Sequence, residues 1–431
     1  MTNHHLMLHL LRRAGFGATT AEISAYEALG FDAAVNSLVD NEGADNTALD
    51  TALTTRKDDL TRIDGCQNWW LYRMLHSRRP LEEKMTLFWH GHFASTNSTV
   101  GRPPYMFVQN QLFRANGLAR FDEFVVKVSQ NPAMLIFLDG RENVKIHPNE
   151  NYARELMELF TLGIGNYTER DILEAARALT GWTITSDRFT VNAANHDIGM
   201  KTIFGQTGNF DGTDVCRLVT SHPACAPYIA RKLIRLFVTD QPSNDFVSRT
   251  AAFLITSGFS IRETVRGLLL SPEFKLDSSR RALVKSPAEF VIGTLKDLNI
   301  AWLPTDARTA IRGMQQDLFE PPGVQGWAGG PEWLNTTTFL RRAAWLTRLI
   351  SSNGPDGKPI VDVNTIVATN KLTTSREIVN FVVDQTLDGE ILEANRMAMI
   401  GWLDKSTTTT RTRRLRGVYH LAMTSPQYQL A

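Results

Sequence analysis

Apolar side chains recur three and four positions apart along most of this chain, which is the period of an amphipathic α-helix. Glycine, proline and capping residues divide this pattern into separate helices. Thr168, for example, stands where a helix N-cap is expected, and Gly163 is expected to end the preceding helix. The predicted helices cover residues 19–40 (broken at Gly30), 66–77, 80–90, 104–117, 120–130, 148–161, 169–180, 212–222, 224–238, 244–257, 261–270, 286–298, 305–318, 338–352, 374–386, 389–404 and 410–424.

One stretch, residues 182–205, does not follow the helical period. Thr and Ile alternate before Ser186-Asp187, and Phe and Val alternate after it, which predicts a β-hairpin followed by a loop and a short strand. The predicted fold is therefore all-α, a large multi-helix body with a small β-hairpin insert near 182–205. We expect a main domain over 1–352, a linker rich in Gly, Pro and Asn over 353–372, and C-terminal helices over 373–431 packed on the main domain.

Composition is that of an ordinary soluble globular protein, with 43% apolar and 21% charged residues in 431. A formal net charge of +1 gives no basic field for nucleic acid, and no nucleic-acid-binding motif is present. No apolar run approaches the roughly 18 residues of a membrane span. No signal peptide is visible, which predicts a cytoplasmic protein, or a periplasmic or secreted one if a signal has been removed.

Cysteine spacing argues against a cysteine-based zinc site. Cys66, Cys216 and Cys225 are an odd number and form no CxxC pair. Free thiols are the expected state, with a Cys216–Cys225 disulfide as the alternative.

The stretch 148–182 is dense in carboxylates and arginines. Asn151, Glu155 and Glu158 fall at i, i+4 and i+7, so they share one side of a regular helix. They could line one side of a reactive site, in which Glu155 and Glu158 are the catalytic candidates. Ligand-binding candidates beside them are Asn149, Glu150, Asn151 and Arg154. The alternative is a structural ion-pair lattice, in which Arg154 and Arg177 neutralise the carboxylates.

His90-Gly91-His92 is a second candidate element. An imidazole pair at this spacing can hold a transition metal where the helix frays at the glycine. The alternative is one core histidine and one histidine that suits the helix C-terminus.

His196-Asp197 follows the predicted hairpin and precedes Lys201. Such a pair can supply a metal ligand, or a catalytic base with an orienting carboxylate, and Lys201 can bind an anion. The alternative is an Asx-turn at Asp197 that closes the loop. With His90 and His92, His196 would provide three nitrogen ligands, which suit a divalent first-row transition metal as the cofactor.

Residues 321–330 form a loop of two prolines and four glycines that contains Trp327. An indole in a rigid loop can stack on a sugar or a peptide, and Trp327 is therefore a ligand-binding candidate. It can equally fill the core beneath the loop.

Several long motifs carry a family resemblance. They are LLRRAGFG (10–17), PLEEKMTLFWHGHF (80–93), NPAMLIFLDG (131–140), the whole of 148–182, HDIGMKTIFG (196–205), IARKLIRLF (229–237), VKSPAEFVIG (284–293) and LFEPPGVQGWAGGPEWLN (318–335). In these motifs the chain resembles the bacterial DUF1800 family. The resemblance implies a helical fold, frequent export and a DUF1501-type partner, and it implies no reaction. Met314-Gln315-Gln316 departs from the Gly-Gln that the family usually shows there.

Two functions are predicted. The first is an enzyme for hydrolysis or oxidation, with His90, His92, His196 and the acidic helix 149–158 forming a polar, metal-assisted site and Asp197 orienting a histidine. The second is a scaffold that binds a protein partner or a polymer, with the acidic helices as an ion-pair lattice. The substrate would be a small molecule or a polymer that the sequence does not identify.

Overall fold

The computed structural model describes residues 1–407 and 409–431. Within them the protein is mostly helical with two small two-stranded antiparallel sheets, so the predicted fold class is confirmed. The helices of the first half are α1 (Asn3–Arg13), α2 (Thr20–Leu29), α3 (Phe31–Val39), α4 (Thr47–Arg56), α5 (Ile63–His76), α6 (Pro80–His92), α7 (Asn97–Val100), α8 (Pro103–Asn116), α9 (Phe121–Ser129), α10 (Pro132–Phe137), α11 (Asn151–Glu155) and α12 (Glu169–Ala178).

Helices continue to the end of the chain. They are α13 (Gly212–Ser221), α14 (Cys225–Phe237), α15 (Asn244–Thr256), α16 (Ile261–Leu270), α17 (Pro287–Asp297), α18 (Ala307–Gly313), α19 (Thr336–Ser351), α20 (Val363–Thr369), α21 (Ser375–Leu387), α22 (Glu393–Asp404) and α23 (Arg411–Met423). Capping residues fix many of these boundaries. Thr168 caps α12 as predicted, because its side chain accepts from Asp171 N and the Asp171 carboxylate accepts from Thr168 N.

The predicted hairpin consists of β1 (Trp182–Thr185) and β2 (Arg188–Val191). They pair antiparallel from Trp182↔Val191 to Thr185↔Arg188. Ser186 and Asp187, at φ 49° and 62°, form the two-residue turn between them. A second small hairpin follows, with β3 (Lys201–Ile203) paired to β4 (Gln206–Gly208).

The chain packs as two compact units. Unit 1 comprises Met1–Ala34, Lys275–Asp317 and Gly329–Ala431. Its core includes Phe290, whose ring centroid lies 6.1 Å from that of Trp345 and 5.9 Å from that of Tyr428. The predicted linker 353–372 lies in this unit and contains α20. The predicted domain boundaries stay predictions.

Unit 2 comprises Val35–Phe274 and Leu318–Ala328. Its core is an aromatic cluster in which Trp89 packs 5.2 Å from Phe124 and 5.8 Å from Phe121. Both hairpins and all of the predicted site residues belong to this unit. In the part of the chain that the structure describes, no helix combines the length and the apolar character needed to cross a bilayer.

Candidate functional site at the π-helical turn

The helix at the centre of the acidic stretch changes type after one turn. α11 ends at Glu155, and residues Leu156–Thr161 continue it as a π-helix. Leu162 N donates to Met157 O at 2.9 Å, five residues back, which is the π-helical bond. Single π-turns within helices are rare and occur frequently at functional sites. This one places two backbone carbonyls against side chains from α6 and α14.

His92 and Tyr228 bind those two carbonyls. His92 Nε2 donates to Phe160 O at 2.9 Å, and the Tyr228 hydroxyl donates to Leu159 O at 2.7 Å. His92 is the last residue of α6, and Tyr228 lies in the first turn of α14. The π-turn is therefore held by hydrogen bonds from two helices that are distant in sequence.

Lys232 completes the contacts of His92. Its Nζ donates to His92 Nδ1 at 3.1 Å and lies 4.8 Å from the centre of the Tyr228 ring. Because His92 uses Nε2 as a donor, its Nδ1 is the acceptor, and the imidazole is neutral. Burial, together with the Lys232 charge, holds the pKa of His92 well below its usual value.

Lys232 is itself only half-buried. Burial, with the charge of Arg235, lowers the pKa of Lys232 to about 8. At physiological pH a larger fraction of its amine is therefore neutral than in a lysine with the ordinary pKa. The amine lies beside a neutral imidazole and over an aromatic ring.

Glu155 and Glu158 lie on the acidic side of the same turn. Glu158 accepts from the Tyr167 hydroxyl at 2.5 Å. Burial and the nearby Glu158 charge raise the pKa of Glu155. Burial raises the pKa of Tyr228 to about 12, and the Glu158 charge adds to that effect. Tyr228 therefore connects the Lys232–His92 pair with the carboxylates, because its ring contacts Lys232 and the Glu158 charge raises its pKa.

His90 serves a different purpose from His92. Its Nε2 accepts from Phe319 N at 2.9 Å, and its ring lies edge-on to Trp70 and Trp327, with centroids 5.4 and 5.5 Å away. It is 1% exposed, and burial lowers its pKa to about 3. The neutral ring therefore carries its proton on Nδ1. His90 anchors the loop 318–328 within unit 2.

Trp327 lies against the end of α6 and is half-buried. Its ring would be 3.7 Å from a Cβ at Gly91. Gly326, at φ +72°, brings the loop so close that a Cβ there would lie 2.0 Å from Gly91 O. The indole thus covers the His90–Gly91 segment, and part of its surface stays exposed.

His196, Asp197 and Lys201 close the loop after the first hairpin. His196 Nδ1 donates to Thr180 O at 2.8 Å. Asp197 accepts from Arg177 Nε at 2.8 Å and from Gly199 N at 2.7 Å, the second of which forms the Asx-turn considered above. Lys201, 1% exposed, donates to Asp197 O and Gly199 O at 2.6 and 2.9 Å. Arg177 also binds Glu174 at 2.8 Å.

The residues before the π-turn form a network of short-range bonds. Asn149 Oδ1 accepts from Asn151 N at 2.9 Å, and Asn151 Nδ2 donates to Asp139 Oδ2 at 2.9 Å. Arg154 donates to Glu150 at 3.1 Å and to both oxygens of Glu169, at 3.0 and 2.7 Å. This half of the acidic stretch is an ion-pair network at the surface.

The donor set does not fit the predicted metal. Among residues 1–407 and 409–431, no three or more His, Cys, Asp and Glu side chains are grouped so that they could hold a metal ion. The lone pairs of His90 Nε2 and His92 Nδ1 already accept hydrogen bonds, and the other nitrogen of each ring carries the proton. The acceptor nitrogens of His90 and His92 are thus used within the fold.

The comparison with protein families agrees with the motifs. A family model described as "Protein of unknown function (DUF1800)" matches residues 9–430. The chain belongs to the DUF1800 family. No curated protein and no solved structure matches it. Three of the motifs quoted for DUF1800, namely 80–93, 148–182 and 229–237, contribute His92, the π-turn and Lys232 to the site described above.

Sequence reasoning missed Lys232, Tyr228 and Tyr167 in this DUF1800 chain. One signal was present, because Tyr228 and Lys232 are four residues apart and so share a face of α14. A lysine one turn from a tyrosine can place its amine over the aromatic ring, which favours partial burial.

Proposed function

We propose that this protein is an enzyme whose site at the π-turn performs general acid–base chemistry, with hydrolysis as the reaction. The observation that carries the proposal is the Lys232 amine, half-buried and bonded to a neutral His92 at the π-turn, whose helix also carries Glu155 and Glu158. A lysine and a carboxyl group whose environments each disfavour the charged form are typical of acid–base sites.

Each group has a role in such a reaction. The neutral amine of Lys232 takes a proton from water, and the water oxygen forms a bond to the electrophilic centre of the substrate. His92 positions the amine through its Nδ1 acceptor and its own bond to Phe160 O. Protonated Glu155, favoured by burial and by Glu158, gives its proton to the leaving group as the bond between that group and the electrophilic centre breaks. The reaction uses water alone as a co-substrate.

Hydrolysis of nitrophenyl acetate, phosphate and glycosides tests this proposal. Replacing Lys232 by Met keeps the apolar stem and removes the base, so we expect the rate to fall by about 100-fold or more. Lys145→Met, at an exposed lysine of the same unit, is the matched control and should retain the rate. Equal rates in the protein with Lys232 and in Lys232→Met would contradict the proposed role.

One observation favours the second candidate function, a non-catalytic scaffold. Arg154 pairs with Glu150 and Glu169, and Arg177 pairs with Glu174 and Asp197. A scaffold built on these pairs would lose stability when its carboxylates are neutralised. Glu155 distinguishes the two functions, because it belongs to the acid–base site and forms none of those ion pairs.

A further inference from the structure

A second candidate site lies in unit 1, in a pocket of about 950 Å³ between α19, α22 and α23. Apolar side chains form much of its wall, among them Ile350, Ile391, Met399, Trp402 and Leu421. This volume is at the upper end of the range for small-molecule sites, and predominantly apolar walls with a few polar groups are typical of them.

Trp402 is held in place as part of this wall. A Cβ at Gly417 would lie 2.3 Å from the indole, so the close packing of Trp402 on α23 requires glycine there. Glycine is a destabilising choice in a helix interior, and here it permits that approach. The Arg414 guanidinium lies 5.2 Å from the ring centre and also donates to Trp402 O. The indole nevertheless remains 37% exposed.

Polar atoms in the same wall have no partner within the described chain. Ser425 Oγ, His420 Nε2 and Arg416 Nε are buried and form no hydrogen bond there. Ser425 as a whole is only 8% exposed. A buried polar atom without a hydrogen bond is unfavourable, and three around one pocket indicate a missing partner. A bound ligand with acceptor atoms would supply it.

The charged side chains that line the pocket indicate the sign of the ligand's charge. Arg413 and Arg416 line it, and the described lining residues include no Asp or Glu. Asp362 is within electrostatic range of Arg416 but bonds instead to Thr365, at 3.1 and 2.7 Å. Arg416 therefore forms no ion pair in the described chain. An arginine fork binds a carboxylate through two parallel hydrogen bonds.

We propose that this pocket binds an amphipathic carboxylate. The carboxylate lies on Arg416, with Ser425 and His420 as further hydrogen-bonding groups, and the apolar body lies on Trp402 and Met399. Binding here is independent of the acid–base site in unit 2, so each proposal can fail without the other.

Calorimetric titration with decanoate, below its micelle concentration, tests the proposal on the full chain. We expect one site, with decanol bound about tenfold more weakly because it lacks the charge. Arg416→Gln should weaken decanoate binding about tenfold. The matched control is Arg411→Gln, on the same helix but outside the pocket lining, and it should bind as before.

A second pair of variants tests the volume rather than the charge. Ala398 is exposed on α22 and lines the pocket, whereas Ala394 is exposed on the same helix and does not. Ala398→Trp should abolish decanoate binding, and Ala394→Trp should leave it unchanged. This pair shows whether decanoate binds in the pocket even if Arg416→Gln fails to fold.

Four results would overturn the proposal. Three concern binding: no binding of decanoate, equal affinity for decanol, and unchanged affinity in both Arg416→Gln and Ala398→Trp. The fourth is dimerisation that Ala398→Trp abolishes, which would assign the pocket to a second copy of the chain.

Discussion

Carboxylates in the acidic stretch differ in what surrounds them. Glu150 and Glu169 are bonded to Arg154 at the surface, and Asp197 is bonded to Arg177. Glu155 instead sits beside another carboxylate, and its pKa is raised. The density of charged residues in the sequence could predict that the stretch 148–182 contains a network of charged side chains. It could not separate paired from unpaired carboxylates, because the pairing depends on side-chain positions in the folded chain.

Replacing Glu155 by Gln tests that distinction through stability. A raised folded-state pKa means that the stabilising protonated form is lost as pH rises, so the ionised carboxylate is unfavourable at neutral pH. We expect Glu155→Gln to be stabilising by up to about 0.5 kcal/mol at pH 7, with a smaller effect near pH 4. Urea unfolding at both pH values measures this.

Glu169→Gln is the matched control for that experiment. It removes a surface ion pair with Arg154 and should change the unfolding free energy little, because solvent screens an exposed pair. A loss in Glu169→Gln as large as that of a buried ion pair would favour the scaffold function instead, and a large loss in Glu155→Gln would contradict this account of Glu155.

At the scale of elements, periodicity and capping predicted most long helices to within a few residues. α16 was predicted at its observed bounds, 261–270, and α17 was predicted as 286–298 and is observed at 287–297. The short helices α7 and α10 and the strand β4 were not predicted. They are too short to show a period, and β4 (Gln206–Gly208) has no alternating apolar residues.

The π-turn could not be predicted in the same way. The helical wheel placed Glu155 and Glu158 by a period of 3.6 residues, and the turn from Leu156 to Thr161 departs from that period. Its carbonyls are bonded by His92 and Tyr228, which come from distant parts of the sequence. The sequence of the turn itself therefore does not indicate those partners.

Tyr228→Phe tests whether these bonds hold the π-turn. The change leaves Leu159 O without its donor, so we expect a loss of about 1–3 kcal/mol in unfolding free energy and faster amide exchange at Leu162. Denaturant unfolding and hydrogen exchange measure the two effects. Tyr72→Phe, whose hydroxyl has no hydrogen bond among the described residues, should be nearly neutral. Equal results for both variants would contradict this account of the turn.

For the whole molecule, unit 1 joins the two ends of the chain. Asp388, at the end of α21, has a side chain that is 1% exposed and is bonded to Arg12 of α1 and to Arg280 and Arg281. Burial alone would raise the pKa of Asp388, but these guanidinium groups, led by Arg12, hold it far below its usual value. The sequence could not predict this cluster, because Asp388 lies more than a hundred residues from each of its three partners.

Asp388→Asn should be strongly destabilising, because it leaves three guanidinium groups without their shared carboxylate. We expect a loss of about 3–5 kcal/mol at pH 7 by denaturant unfolding. A depressed pKa contributes stability above the unfolded value, and this is lost as pH falls, so the difference between the two proteins should shrink at acid pH. Asp384→Asn, at an exposed carboxylate of the same helix, should cost little. A small loss in Asp388→Asn would contradict the role of the cluster.

Acid–base chemistry at Lys232 is the central claim, and the titration of that one amine tests it most directly. The measurement is the rate of trinitrophenylation of Lys232 as a function of pH, read by peptide mass spectrometry, with exposed Lys145 as the internal reference. We predict a half-maximal rate for Lys232 at pH about 8. The ordinary lysine value is about 10.4, so the Lys232 curve should lie well below it. A Lys232 curve that coincides with that of Lys145 would contradict the account.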